Sequence, residues 1–133
     1  MKNMKDKATD NLSNWNFSAC PVRNVLARVG DKWSLLTLHA LTTHGTLRFT
    51  DLQRAIPDVS TKMLSATLQR LQEDGFVTRQ VYAAVPPRVD YTITALGTSF
   101  MNVCSPVLQW AIDHLAAILH NREAAKHENQ HTP

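Results

Sequence analysis

The sequence predicts a mostly helical α+β domain, and three features of the chain predict it. Residues 49–75 have the pattern of two short capped helices joined by a tight turn. Two segments of alternating apolar and polar residues follow, over residues 76–82 and 88–94, as in a β-hairpin. A long helical pattern then runs from Thr94 to about Asn121. Together these features indicate one hairpin placed among several helices.

Length and composition indicate one soluble globular domain. The chain has 133 residues, of which 44% are hydrophobic and 19% charged. We expect residues 1–18 to be a flexible polar segment, residues 19–121 to form the domain, and residues 122–133 to be a disordered tail. The net charge of +3 permits a nucleic-acid partner without requiring one.

Several classes of protein are excluded by what the sequence lacks. It contains no apolar run of membrane-spanning length and no signal peptide, so we expect a cytoplasmic protein without a membrane partner. Two cysteines are too few for a disulfide framework or a zinc site. The spacing of His120, His127 and His131 fits no usual metal site, and no cofactor motif is present. We find no catalytic motif and predict no enzyme.

Two helices are predicted before the central pair. In the first, Cys20 occupies the N-cap and Pro21 the first helical position, and the helix ends at Gly30. Its apolar stripe consists of Val22, Leu26 and Val29. The second helix is capped by Asp31 and stops at Gly45. We predict that its buried face is formed by Trp33, Leu36, Ala40 and Leu41.

Helix caps define the central pair of helices. The first is predicted over residues 51–55, with Thr50 as its cap in a capping box with Gln53, and Pro57 prevents its continuation. Ser60 caps the second helix, which runs to Asp74 and ends at Gly75. A very short strand around Leu47 precedes the pair.

The second helix of the pair has two different faces. Leu64, Leu68 and Leu71 recur at helical spacing and are predicted to face the core. The opposite side carries short polar or long hydrogen-bonding side chains, which suit a DNA major groove. This set is Thr61, Lys62, Ser65, Ala66, Gln69 and Arg70. The pattern is that of a helix-turn-helix, although any two amphipathic helices in a bundle would also show caps and a leucine stripe.

The hairpin that follows a helix-turn-helix is a wing. It would place Arg79 and Arg88 beside a phosphate backbone or a minor groove. The alternative for these arginines is a solvated strand edge that blocks edge-to-edge pairing. The predicted fold is therefore a winged helix-turn-helix with a two-stranded wing and additional N- and C-terminal dimerisation helices.

The long C-terminal helix has more apolar surface than a small winged domain needs. Its apolar side includes Phe100, Val107, Trp110 and Leu115, and we expect Pro106 to kink or break it. The surplus, together with the first helix, predicts a dimer surface.

Several short motifs are spread along the chain. They are Cys20-Pro21-Val22, Gly30-Asp31-Lys32-Trp33, Leu47-Arg48-Phe49, Ile56-Pro57, Ser60-Thr61-Lys62-Met63-Leu64, Asp74-Gly75, Pro86-Pro87-Arg88-Val89 and Thr94-Ala95-Leu96-Gly97, with Leu68, Leu71 and Tyr91. Together they resemble the HxlR-type family of winged helix-turn-helix transcriptional regulators, relatives of the MarR group. The resemblance implies a bacterial homodimer that binds double-stranded DNA at a pseudo-palindromic operator. In some members of that family a cysteine at the position of Cys20 senses oxidants or small electrophiles, and the resemblance carries that role over to Cys20 alone.

A physical argument for Cys20 stands beside the resemblance. A thiol at a helix N-terminus is next to the positive end of the dipole, and Arg23 adds positive charge, so the thiolate is favoured. The alternative is a small inert residue packed under the N-terminal segment. We expect Cys104 to be structural.

The sequence therefore predicts a DNA-binding transcriptional regulator, a repressor acting as a homodimer. The alternative is a winged-helix adaptor that binds proteins without reading DNA. The candidate DNA-binding residues are Thr50, Ser60, Thr61, Lys62, Ser65, Ala66, Gln69, Arg70, Arg79 and Arg88.

Overall fold

The computed structural model describes residues 21–131 and is mostly helical, with one small antiparallel sheet. The predictions for residues 1–18 and for the Cys20 cap lie outside the described residues. The chain divides into two compact units, one up to Thr98 and one from Ser99 onward. The predicted winged fold belongs to the first unit.

Between residues 21 and 131, five helices and three strands follow one another, and we number them in order. They are α1 (Pro21–Val29), α2 (Lys32–His44), β1 (Thr46–Arg48), α3 (Phe49–Ala55), α4 (Thr61–Glu73), β2 (Val77–Tyr82), β3 (Arg88–Ile93) and α5 (Ala95–His131).

The predicted helix ends around the central pair are largely confirmed. Asp31 caps α2 through Ser34 N–H at 3.3 Å, and Ser60 caps α4 through Met63 N–H at 3.0 Å. Gly75 follows α4 with a φ of 84°, a left-handed conformation that favours glycine. These bonds satisfy backbone groups that a helix end leaves unpaired.

The cap of α3 was predicted wrongly. The helix begins at Phe49 rather than Asp51, so Thr50 lies within its first turn. Asp51 accepts a hydrogen bond from the backbone N–H of Arg48 at 3.1 Å and closes the first turn. Gln53, the expected partner in the capping box, instead donates to Thr61 Oγ1 at 2.9 Å. The helix starts earlier because Asp51, three residues after Arg48, is well placed to accept that bond.

The sheet has three strands, in the order β1-β3-β2. Strands β2 and β3 are the two predicted for the wing, and β1 is the short strand predicted around Leu47. Strand β3 pairs antiparallel with β2, Val77 opposite Ile93, and with β1, Leu47 opposite Tyr91. The hydroxyls of Thr46 and Thr92 are 2.9 Å apart across the β1–β3 pair. The strand before the helix pair therefore joins the hairpin that follows it.

The core of the first unit lies between α2, α3, α4 and the sheet. The predicted leucine stripe of α4 is confirmed, since Leu64, Leu68 and Leu71 are at most 1% exposed. Their core partners include Val29, Leu38, Leu41, Leu52, Ile56, Val59 and Val77. This packing orients α4, because its apolar side is fixed against α2 and β2.

The predicted buried face of α2 is only partly confirmed. Ala40 and Leu41 are buried as predicted, but Leu36 is 38% exposed, and the buried face also contains Ser34, Thr37 and Leu38. Apolar residues surround most of this helix, so periodicity alone did not identify the buried side. In the hairpin the apolar Val81 is half exposed, whereas the charged Asp90 is buried and paired with Arg88.

Helix α5 continues through Pro106 without a break and extends to His131. Of the kink or break expected at Pro106, the break is therefore wrong, and so is the disordered tail from residue 122 as far as His131. Residues 122–131 contain no glycine or proline, and Lys126 pairs with Glu123 at 3.8 Å on the last turns.

Candidate nucleic-acid interface

One side of α4 is open to solvent, and it is the side opposite the leucine stripe. Of the six residues predicted there, five are exposed, namely Thr61, Lys62, Ser65, Ala66 and Gln69. None carries a bulky apolar group, so this surface suits a polar partner such as a DNA groove. We call these five residues the α4 outer face.

The N-terminal end of α4 is fixed to the turn that precedes it. The Ser60 hydroxyl oxygen accepts from Met63 N–H, and the Thr61 hydroxyl accepts from the Gln53 amide. A side chain of α3 is thereby bonded to the first residue of α4, which fixes the two helices of the pair against each other.

Arg70, the sixth predicted residue, points away from the α4 outer face. It is only half exposed, and its guanidinium lies 3.7 Å from Asp31 Oδ1. Asp31 also accepts from the backbone N–H of Ser34. The Asp31 cap of α2 is therefore the partner of Arg70 in this structure.

The C-terminal half of α4 is joined to α1 by charged side chains. Arg28 donates to Asp74 Oδ2 at 2.6 Å and to Glu73 Oε2 at 3.2 Å. The hydrogen bond to Asp74, and then the charge of that carboxylate, raise the pKa of Arg28. Glu73 also accepts, through Oε1, a 3.2 Å hydrogen bond from the Gln69 amide.

The two arginines predicted on the wing differ in their surroundings. Arg79 is exposed on β2, opposite Tyr91. Arg88 makes two hydrogen bonds to Asp90, of 2.9 and 3.0 Å, and its guanidinium carbon lies 5.6 Å from the centre of the Tyr82 ring. The Arg88 hydrogen bond holds the pKa of the Asp90 carboxyl below its usual range. Arg88 is therefore engaged within the sheet, while Arg79 faces solvent.

Thr50 and Arg88 come together, although they are far apart in the sequence. Both line a cavity of about 260 Å³ between the start of α3 and the hairpin. Arg48, which was not among the predicted residues, lines the same cavity and is exposed. Its position directly before a capped helix was the signal in the sequence that could have identified it.

Comparison with known proteins places this geometry in a family. The model of the HxlR-like helix-turn-helix family matches residues 28–118, more than half of the chain. The chain belongs to the HxlR-like helix-turn-helix family. The resemblance drawn from the sequence motifs is therefore confirmed, and so is the winged helix-turn-helix fold.

HxlR-like relatives include proteins known by sequence and by structure. The HTH-type transcriptional regulator YtfH of Escherichia coli K12 is 42% identical over 78% of this chain and 82% of its own. The structure of the regulator ytfH from Salmonella typhimurium is 42% identical, with a TM-score of 0.73 over 80% of this chain and 94% of its own. The redox regulator HypR in its oxidised form is 32% identical, with a TM-score of 0.66 over 71% of this chain and 96% of its own. These relatives are transcriptional regulators and not enzymes.

Of the two cysteines of the HxlR-like chain, the structure describes one. Cys20 lies outside the described residues. Cys104 is a free thiol on α5, half-buried, and burial raises its pKa above the ordinary value for a thiol. A raised pKa leaves less of the nucleophilic thiolate at neutral pH.

The described residues of this HxlR-like chain contain neither a membrane-spanning helix nor a cluster of metal ligands. No helix between residues 21 and 131 is long and apolar enough to cross a membrane. In the same part of the chain, no three His, Cys, Asp or Glu side chains are grouped as a metal site would require.

Proposed function

We propose that this HxlR-like regulator is a homodimeric repressor that binds a pseudo-palindromic operator in the cytoplasm. The observation that carries the proposal is the α4 outer face, which is exposed while the leucines behind it are buried. Lys62 and Thr61 would contact phosphates near the start of the helix, and Gln69 would reach a base edge. Arg79 on the wing would contact the neighbouring backbone.

A second copy of the chain would cover the apolar residues that a single chain leaves exposed. On α5 the exposed fractions of Val103, Val107, Trp110 and Leu115 range from 52% to 69%. On α1, Leu26 is 50% exposed. Uncovered apolar surface of this extent is characteristic of a protein interface. A two-fold axis would place the two α4 helices about 34 Å apart, one turn of DNA.

The test of DNA binding uses the full-length protein and a pool of randomised duplexes of about 30 base pairs, long enough for two half-sites. Repeated selection should enrich a sequence with approximate two-fold symmetry. Fluorescence anisotropy should then show an affinity for that duplex which falls steeply with salt, as counterion release requires. Enrichment of no sequence, with equally weak binding to all duplexes, would favour the protein-interaction adaptor instead.

The dimer and the repressor role have separate tests. Sedimentation at micromolar concentration should give twice the chain mass, and Leu115→Glu should convert the dimer to a monomer because a charge would lie in the apolar interface. A monomeric wild type would contradict the proposal. In cells, a reporter placed behind the selected duplex should be repressed when the protein is present, and activation would reverse the assigned sign.

We also propose that Cys20 senses oxidants or small electrophiles. Support comes from its place directly before α1, where the helix dipole favours a thiolate, and from the redox regulator HypR among the structural relatives. The alkylation rate of Cys104→Ser, which retains Cys20, should rise with pH and reach its plateau at a pH below the usual thiol pKa of about 8.5. Complete modification of Cys20 should also change operator affinity. Unchanged affinity after complete modification would contradict the sensor role, and Cys20→Ser is the matched control.

A further inference from the structure

The side chain of Gln69 is held in one orientation by two other residues. Gln69 lies on the α4 outer face, and its Nε2 donates to Glu73 Oε1 one turn later, at 3.2 Å. The other carboxylate oxygen of Glu73, Oε2, accepts from Arg28 at 3.2 Å. Arg28 is itself anchored by its 2.6 Å bond to Asp74. The three side chains form a relay from α1 to the exposed side of α4.

The relay leaves Gln69 with the groups that adenine requires. A primary amide has two N–H donors and one carbonyl oxygen with two lone pairs. One N–H is bonded to Glu73, so one N–H and the oxygen Oε1 remain for a ligand. Adenine presents an acceptor, N7, beside a donor, the N6 amino group, in the major groove. Because Glu73 fixes the side on which the amide nitrogen lies, the amide is ordered before DNA arrives.

Arg28 also offsets the negative charge that Glu73 places near the α4 outer face. An unpaired Glu73 beside the α4 outer face would repel phosphates and would be free to rotate. The Arg28 guanidinium, which Glu73 shares with Asp74, offsets part of this charge and holds the Glu73 carboxylate by one of its two oxygens. The other oxygen is then directed to Gln69.

We propose that Glu73 and Arg28 are positioning residues that preorganise Gln69 to recognise an adenine. The inference rests on the proposed DNA binding and extends it, since it names the base and assigns a role to two residues outside the α4 outer face. Preorganisation increases discrimination because the cost of ordering Gln69 is met by the protein before binding.

The test measures base preference in the full-length protein. The duplex selected by the wild type is resynthesised with each base pair changed in turn, and affinities are compared by anisotropy. One symmetric pair of positions should prefer adenine by about 5- to 150-fold, the range of a bidentate contact. Gln69→Ala should abolish the preference at that pair of positions and leave the others unchanged.

The positioning variants should weaken this preference without removing it. Glu73→Ala and Arg28→Met should each reduce it by about 2- to 13-fold, which corresponds to the cost of ordering one long side chain. The double variant should lose no more than Glu73→Ala alone, because both residues act through the same relay. Arg28→Lys should restore most of the preference, and Glu73→Ala should not weaken binding to an unrelated duplex.

Gln72→Ala is the matched control, since Gln72 is an exposed glutamine on the same helix. It should leave every base preference unchanged, and thermal melts should show that all variants fold. Full adenine preference in Glu73→Ala and Arg28→Met would overturn the relay while leaving DNA binding intact, and so would a Gln69→Ala variant with unaltered preferences. Equal loss on all duplexes together with a lowered Tm would also overturn it, as the role would then be structural. If the wild type enriches no sequence, DNA recognition itself fails and the relay fails with it.

Discussion

Replacing Lys62 by methionine should reduce the salt dependence of DNA binding by a defined amount. Lys62 is exposed on the α4 outer face and forms no ion pair with any other residue of the described range 21–131. Its charge is therefore available to one phosphate in each protomer. Each neutralised phosphate contributes about 0.9 to the slope of log affinity against log salt, so the two lysines of a dimer contribute about 1.8.

The assay is fluorescence anisotropy of the selected duplex across a salt series. Between about 50 and 200 mM salt, the wild type should lose about tenfold more affinity than Lys62→Met. Lys126→Met is the matched control, because Lys126 is exposed on α5 and pairs with Glu123. An unchanged slope in Lys62→Met would refute a phosphate contact. An equal change of slope in Lys62→Met and Lys126→Met would show that the slope depends on net charge and not on a contact made by Lys62.

Three further predictions concern stability. Thr67→Val should raise the Tm by about 4–8 °C, since the buried Thr67 hydroxyl has no hydrogen-bond partner within residues 21–131. Thr42→Val is the control and should not raise the Tm, because the hydroxyl that it removes is bonded to the Leu38 carbonyl. A lower Tm for Thr67→Val would contradict the argument. Asp90 should stabilise the fold above about pH 4 and lose that effect as the pH falls, since Arg88 lowers the pKa of the Asp90 carboxyl. Thermal melts at several pH values should show that Asp90→Asn loses less stability in acid than the wild type. Identical profiles for the two proteins would contradict the argument. Gly97→Ala should lower the free energy of unfolding in urea by about 1–3 kcal/mol, because the added carbon would clash with the backbone oxygen of Phe76, and a neutral result would exclude that contact.

Features set by neighbours in the chain were predictable from the sequence. The cap at Ser60, the left-handed Gly75 and the leucine stripe of α4 each depend on residues within one or two turns. These features determine which side of α4 is exposed, so most of the α4 outer face followed from the sequence.

Features set by distant partners were not predictable in this way. Arg70 has the spacing of a base-reading residue, but its partner is Asp31, 39 positions earlier in the chain. Periodicity gives the direction of a side chain relative to its own element, but it does not identify an oppositely charged partner on another element.

The pairing of β3 with both other strands has a mechanical consequence. Strand β1 ends where α3 starts, and β2 starts shortly after α4 ends, so a single strand clasps both ends of the helix pair. A shift of β3 by one residue would turn its side chains to the opposite faces and displace both anchor points together. The wing thus holds the helix pair in place, and mutations at its base should destabilise α3 and α4 without contacting them.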